Sequence, residues 1–206
     1  MTGLEEAGAL LAAESARFAA LGWMRGTSGN LSLTLERDPL RLAVTASGLD
    51  KSELGPDDVV LVDGDGALLP DDRRELVPSA EAGLHARIAA VTGAGAVVHV
   101  HAMAAVEAGF HWPQGVELRD LEMLKGLGHS AHDETAVVPV IPNSQDMRVL
   151  GDAFEAAYRR PVDGVREVPA LIVASHGLYA WGADLRQARW HTELVEWLLR
   201  FRVRTR

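Results

Sequence analysis

The chain contains no cysteine, which excludes disulfides and thiolate metal sites and leaves nitrogen and oxygen as the only ligands for a bound metal. It has no apolar stretch near the ~20 residues of a membrane span, so no membrane association is expected. Its opening residues, Met1-Thr2-Gly3-Leu4-Glu5-Glu6, lack the basic and apolar regions of a secretory signal, and the expected location is cytoplasmic. Positive charge is scarce: 20 Lys and Arg face 29 Asp and Glu, a formal charge of −9 that disfavours non-specific nucleic-acid binding. The four arginines between Arg200 and Arg206 read as cations complementing a helix C-terminus rather than as a nucleic-acid or membrane tail. No GxxxxGKS/T or GxGxxG run is present, so no nucleotide is implied. There is no repeat, low-complexity tract or linker, and 206 residues suit a single domain.

What is present alternates between helical and extended patterns. Thr2 with Glu5 forms a capping-box pattern, and Leu4, Ala7, Leu11 and Phe18 recur at near-helical spacing, which predicts a helix over 3–21. Leu31 to Leu35 and Leu42 to Thr45 read as strands, and Val59 to Val62 and Ala67 to Leu69 flank the hairpin signal Asp63-Gly64-Asp65-Gly66. Ser79 is placed to cap a helix running to about Val91, after which Ala96 to His101 form a buried strand. Asp146 to Arg159 and Ala183 to Val203 read as further helices. Leu171 to Val173 and Tyr179 to Trp181 are strands on either side of His176. A mixed sheet flanked by helices accounts for this order, an α/β protein.

Chemistry concentrates in three histidines. In Val97-Val98-His99-Val100-His101, alternate residues share one strand face, so His99 and His101 can reach one metal while Val98 and Val100 pack behind them. An HxH pair alone is equally compatible with two partly buried, hydrogen-bonded histidines. His176 leaves an apolar strand just before Gly177, a position where a side chain emerges at a sheet end, although spacing does not bring it to the other two. Three imidazoles leave a fourth coordination position open for water or substrate, as catalytic zinc sites require. His85 and His191 fall inside helices and read as interior or interface residues, whereas His111, His129 and His132 lie in a polar segment where solvation is expected.

Small-residue turns complete the candidate site. Thr27-Ser28-Gly29-Asn30, Thr45-Ala46-Ser47-Gly48 and Pro78-Ser79-Ala80-Glu81 each adjoin a strand or helix start, and together their amides and hydroxyls could cradle a phosphate. Glu122 and Lys125 are spaced to approach one another on a helix. An exposed ion pair is the simpler account, and proton transfer by Glu122 the alternative.

Taken together, Gly29-Asn30-Leu31-Ser32, Thr45-Ala46-Ser47-Gly48, Pro78-Ser79-Ala80-Glu81, His99-Val100-His101 and His176-Gly177 resemble the class II aldolase/adducin family from about Gly22 to Leu199. Gly22 to Asn30, Glu122-Met123-Leu124-Lys125-Gly126, Asn143-Ser144-Gln145-Asp146 and His176 to Gly182 are most similar to its dehydratase branch, which acts on a methylthio-pentulose phosphate in methionine salvage. The resemblance implies a single-domain class II aldolase-like fold with a central mixed or antiparallel sheet. It implies one Zn2+ per subunit on His99, His101 and His176, and Glu122 as catalytic acid/base. A sugar phosphate would be bound around Ser28, Gly29, Asn30, Ser47, Gly48, Ser79, Glu81 and Lys125. Phe110, Trp112, Met123, Tyr179 and Trp181 are candidates for the methylthio pocket, and a homo-oligomer, a tetramer with sites near subunit borders, is expected.

The chain departs from the aldolase pattern at Ala80, where sugar-phosphate aldolases usually carry a second serine. The alternative activity is a class II sugar-phosphate aldolase or pentulose-phosphate epimerase using the same zinc-enediolate chemistry. An interaction module like the adducin head is disfavoured by the three retained histidines, and a cupin by the number of helical segments.

Overall fold

The computed structural model describes residues 3–70, 75–129, 133–158 and 165–206. In chain order the elements are α1 (Leu4–Ala20), β1 (Asn30–Arg37), β2 (Leu40–Thr45), β3 (Val59–Val62), α2 (Ala82–Thr92), β4 (Ala96–Val100) and α3 (Met103–His111). There follow β5 (Val116–Leu118), a 3-10 helix (Glu122–Leu127), β6 (Thr135–Val138), β7 (Val140–Ile141), α4 (Met147–Tyr158), β8 (Val165–Glu167), β9 (Ala170–Val173), β10 (Gly177–Gly182) and α5 (Leu185–Arg204).

Seven strands form the central sheet in the order β3-β2-β1-β4-β10-β9-β7; every pairing is antiparallel except β7 with β9, so the sheet is mixed, as expected. A second sheet of three short strands, β5-β6-β8, has no counterpart in the sequence reading. Helices cover both faces. Ala96, Val98 and Val100 of β4 pack with Leu11 and Phe18 of α1, Ala105 of α3, and Val195 and Leu198 of α5. Val97 points the other way, into a cluster with Leu84 and Ile88 of α2 and Leu150 and Phe154 of α4. Full burial of such a side chain contributes roughly 1.5–3 kcal/mol, so the two-sided apolar pattern of β4 fixes it at the centre of the sheet. The same alternation carries His99 onto the α2/α4 face.

Local starts differ from the reading in two places. α1 begins after Gly3, which makes no side-chain cap, and Thr2 lies outside the described residues. Ser79 does not cap α2: Glu81 is the N-cap, and Ser79 instead closes the preceding turn by accepting from the amides of Glu81 and Ala82. The Asp63–Gly66 hairpin forms around an isolated Val62–Leu68 bridge, with the Asp63 amide donating to the Ala67 carbonyl and the Leu69 amide to the Leu61 carbonyl. α4 is described as far as Tyr158, Arg159 lies outside the described residues, and the last turn of α5 carries Arg202 and Arg204 as expected for cations at a helix C-terminus.

Gly8 shows how tightly α1 packs, because a Cβ there would sit 1.9 Å from the Pro56 carbonyl oxygen. Gly8→Ala should therefore destabilise the fold by roughly 1–3 kcal/mol although alanine is favoured in helices by about 1 kcal/mol. Thermal denaturation checks this: the melting temperature should fall by several degrees, and an unchanged or raised value would refute the close approach.

Candidate metal centre and its cavity

His99 is the penultimate residue of β4, His101 follows the strand's end, and His176 occupies the tight turn between β9 and β10, the strand hydrogen-bonded to β4. The three rings surround one point, with centroids 4.7, 4.9 and 4.8 Å apart pairwise and a ligand nitrogen of each within 4.8 Å of the others. His99 is fully buried, and its Nδ1 lies 3.1 Å from the Leu178 carbonyl. A carbonyl only accepts, so Nδ1 carries the proton and Nε2 turns its lone pair inward, toward Nε2 of His101 at 2.9 Å. Tyr179 stacks beneath the His99 ring at 4.0 Å and 13°. A side chain at Gly177 would meet the Val100 carbonyl at 2.5 Å and the His99 ring at 3.1 Å, so only glycine lets the turn bring His176 this close.

A carboxylate faces the same point. Glu81, at the start of α2, accepts from His176 Nε2 at 2.8 Å and from the Asn30 amide at 2.5 Å, and lies 3.5 Å from His99 Nε2. Burial opposes its ionisation, but the His176 hydrogen bond, the His99 ring and the Asn30 hydrogen bond together hold it well below the usual carboxylate range. Inward-facing imidazole nitrogens beside an ionised carboxylate form a donor set that fits a divalent cation. Burial also favours the neutral, metal-binding form of two of the rings: it lowers His99 from 6.5 to about 3 despite the opposing charge of Glu81, and it lowers His101 as well.

Behind the site, fully buried His85 contacts the Ser32 hydroxyl through Nδ1 at 2.8 Å, and burial lowers its pKa to about 4. The folded protein therefore stays unprotonated here while the unfolded chain takes up protons below about 6.5. Stability falls as pH drops from there toward 4, and His85 alone contributes roughly 3 kcal/mol of that loss. In urea unfolding of chelated protein between pH 7 and 4.5, His85→Gln should give a shallower decline than wild type. Equal slopes would refute the assignment.

The cavity beside the histidines has a volume of about 280 Å³. Ser28, Gly29, Asn30, Ser47, Gly48, Ser79 and Glu81 all line it with His101 and His176, so the three turns singled out in the sequence do converge. Thr27, Lys51, Ser144, Gln145 and Met147 also line it and were not selected as site residues. Thr27, Ser144 and Gln145 lie in stretches quoted from the sequence, Lys51 is one of two lysines in a chain whose other 18 basic residues are arginines, and Met147 carried no signal.

Two expected members are elsewhere. Glu122 and Lys125 form a 2.6 Å ion pair on the exposed side of the 3-10 helix, and neither lines the cavity. Helical spacing explains the pair and does not bring it to the metal point. None of the five candidates for the methylthio pocket lines the cavity either. Phe110 is exposed, Trp112 lies under Arg202, Met123 and Trp181 pack into the core, and Tyr179 is wholly buried. His129 is buried against Glu134 at 3.0 Å instead of being solvated. His111 is exposed as expected, His85 and His191 are interior and half-buried, and His132 lies outside the described residues.

The family model for the class II aldolase and adducin N-terminal domain matches residues 9–203. This chain belongs to the class II aldolase and adducin family. Similar family members include the methylthioribulose-1-phosphate dehydratase of Persephonella marina, 37% identical over 185 residues that cover 87% of this chain and 81% of that protein. The enzyme of the same name from Bacillus cereus strain AH187 is 35% identical over 182 residues, 88% of this chain and 82% of its own. The crystal structure of L-fuculose-1-phosphate aldolase from Thermus thermophilus shares the class II aldolase fold, with a TM-score of 0.71, 24% identity, and coverage of 96% of this chain and 93% of that one.

Proposed function

We propose that this chain is a zinc-dependent methylthioribulose-1-phosphate dehydratase that acts as one family domain within a homo-oligomer and removes water from 5-methylthioribulose 1-phosphate in methionine salvage. The observation that carries the reading is the convergence of His99, His101 and His176 at the wall of a cavity built from three hydroxyl-rich turns. Relatives at 35–37% identity bear that enzyme's name. The serine hydroxyls of Ser28, Ser47 and Ser79 and the amides of Gly29 and Gly48 grip the phosphate. His99, His101 and His176 hold the zinc, which supplies Lewis acidity toward the substrate carbonyl, a contribution worth several kcal/mol. A second hollow of about 510 Å³ shares His101 with the cavity, and its apolar lining residues Trp23, Met103 and Ala104, set beside charged Arg25, Glu107 and Arg200, are candidates for contact with the methylthio end.

A base must take the C3 proton and return one to the departing C4 hydroxyl, so that water leaves and the enol product becomes the 2,3-diketone. Glu81 suits this poorly, because His176 and Asn30 hold its carboxylate and depress its basicity, whereas a general base works best near neutral pKa. Glu122 carries the proton instead. It lies outside its own chain's cavity, and in a homo-oligomer with sites near subunit borders a neighbouring subunit delivers it.

A second reading, an aldolase or epimerase, is favoured by one contact: Glu81 touches two of the three proposed metal ligands, and by resemblance the matching glutamate of sugar-phosphate aldolases touches the metal and transfers protons. Turnover of 5-methylthioribulose 1-phosphate, with a chelator control, tests both. A diketone phosphate formed without loss of carbon supports dehydration; dihydroxyacetone phosphate plus an aldehyde overturns it.

A further inference from the structure

Lys51 is 1% exposed although it carries a flexible ammonium that usually seeks water, and it lines the cavity. Its Nζ donates to the carbonyls of Thr27 at 3.1 Å and Leu49 at 2.7 Å, and its own amide donates to the Gly26 carbonyl at 3.1 Å. The residue therefore pins the Thr27–Asn30 turn to the turn after Ser47, the two backbone segments that must face one anion. An ammonium has three donors, and two are used here, so the third remains for a ligand. Among the described residues lining the cavity there is no other lysine or arginine, while the ionised Glu81 stands in the same space. A phosphate dianion entering this cavity meets one fixed positive side chain. Burial lowers the Lys51 pKa, the cost of holding that charge out of water before the anion arrives. Lysine is rare in this chain, two against 18 arginines, and a compact tripod of donors, not a flat fork, suits two carbonyls and one oxyanion.

We propose that Lys51 is the phosphate-positioning cation of this site, tying two anion-binding turns together and directing its remaining donor at the phosphate of the bound ligand. This rests on the reading that the cavity takes a sugar phosphate. The test therefore begins with inorganic phosphate, titrated calorimetrically into zinc-loaded wild type and Lys51→Met. Loss of one charged hydrogen bond should weaken phosphate binding roughly 30-fold while zinc content is retained. In turnover, KM for the phosphorylated sugar should rise to a similar degree with kcat within about threefold, and discrimination against the unphosphorylated sugar should fall in step.

A Lys51→Met protein that loses both sugars equally, or binds phosphate as wild type does, overturns the proposal. If that variant does not fold, wild type labelled with 15N-lysine answers the question, since the chain has only Lys51 and Lys125 and the latter is half-exposed. The buried ammonium signal should shift on phosphate addition and saturate with the calorimetric Kd. Phosphate binding without that shift removes Lys51 but leaves the phosphate site standing; absence of phosphate binding removes the site and the proposal together.

Discussion

His176→Ala is expected to abolish stoichiometric zinc binding and to cut turnover by roughly a thousandfold or more, the rate equivalent of the several kcal/mol that a catalytic metal supplies. His176 is the most informative of the three ligands to remove. His99 is wholly buried and stacked on Tyr179, so its truncation also opens a cavity in the core, whereas His176 sits on a turn with its side chain 17% exposed. The unfolding curve of the variant in chelator should therefore differ from that of chelated wild type only by the lost hydrogen bond to Glu81, roughly 1–3 kcal/mol, which separates loss of metal from loss of fold. Elemental analysis and turnover on one preparation check the expectation; a variant that keeps one zinc per chain and wild-type activity would end the metal assignment.

Glu122→Gln should bind zinc normally and lose about 10²- to 10⁴-fold in turnover, the usual span for a positioned acid/base. Its ion pair with Lys125 is exposed, so stability should change little. Subunit mixing decides whether the group acts across a subunit border. When Glu122→Gln and His176→Ala chains are co-refolded in equal amounts, random assembly places an intact Glu122 opposite an intact metal site in about a quarter of the positions, and that share of activity should return. If both groups belong to one chain's site, mixing restores nothing.

The strands and the metal motif were legible because both rest on alternation. Apolar residues on both faces of Ala96–Val100 announce a central strand, and the two-residue step from His99 to His101 fixes a shared face. The turns that line the cavity were legible from glycine and hydroxyl content next to strands. What escaped lacked contrast. Helix α3 presents Ala104, Ala105, Ala108 and Gly109 to the core, and residues so small leave no periodic signal against their neighbours. Strands of the second sheet are three or four residues long, too short for alternation to register. The offset from Ser79 to Glu81 at the start of α2 turned on a single turn of backbone, which side-chain type does not dictate. Where Glu122 stands relative to the histidines was beyond reach for a different reason: the i,i+3 step fixes its pairing with Lys125 and says nothing of its distance from residues far along the chain.

The glycine that admits His176 beside β4 also decides how an ion would act on the whole molecule. Two of the three rings stand on β4 and the residue just after it, and the third on a bend reached only after the second sheet and α4 have been traversed. An ion seated among them behaves as a removable staple across a long excursion of the chain. Chelation should then loosen more than the pocket, relaxing the segment between β4 and β10 into faster amide exchange while α1 and the β1–β2 ladder stay protected.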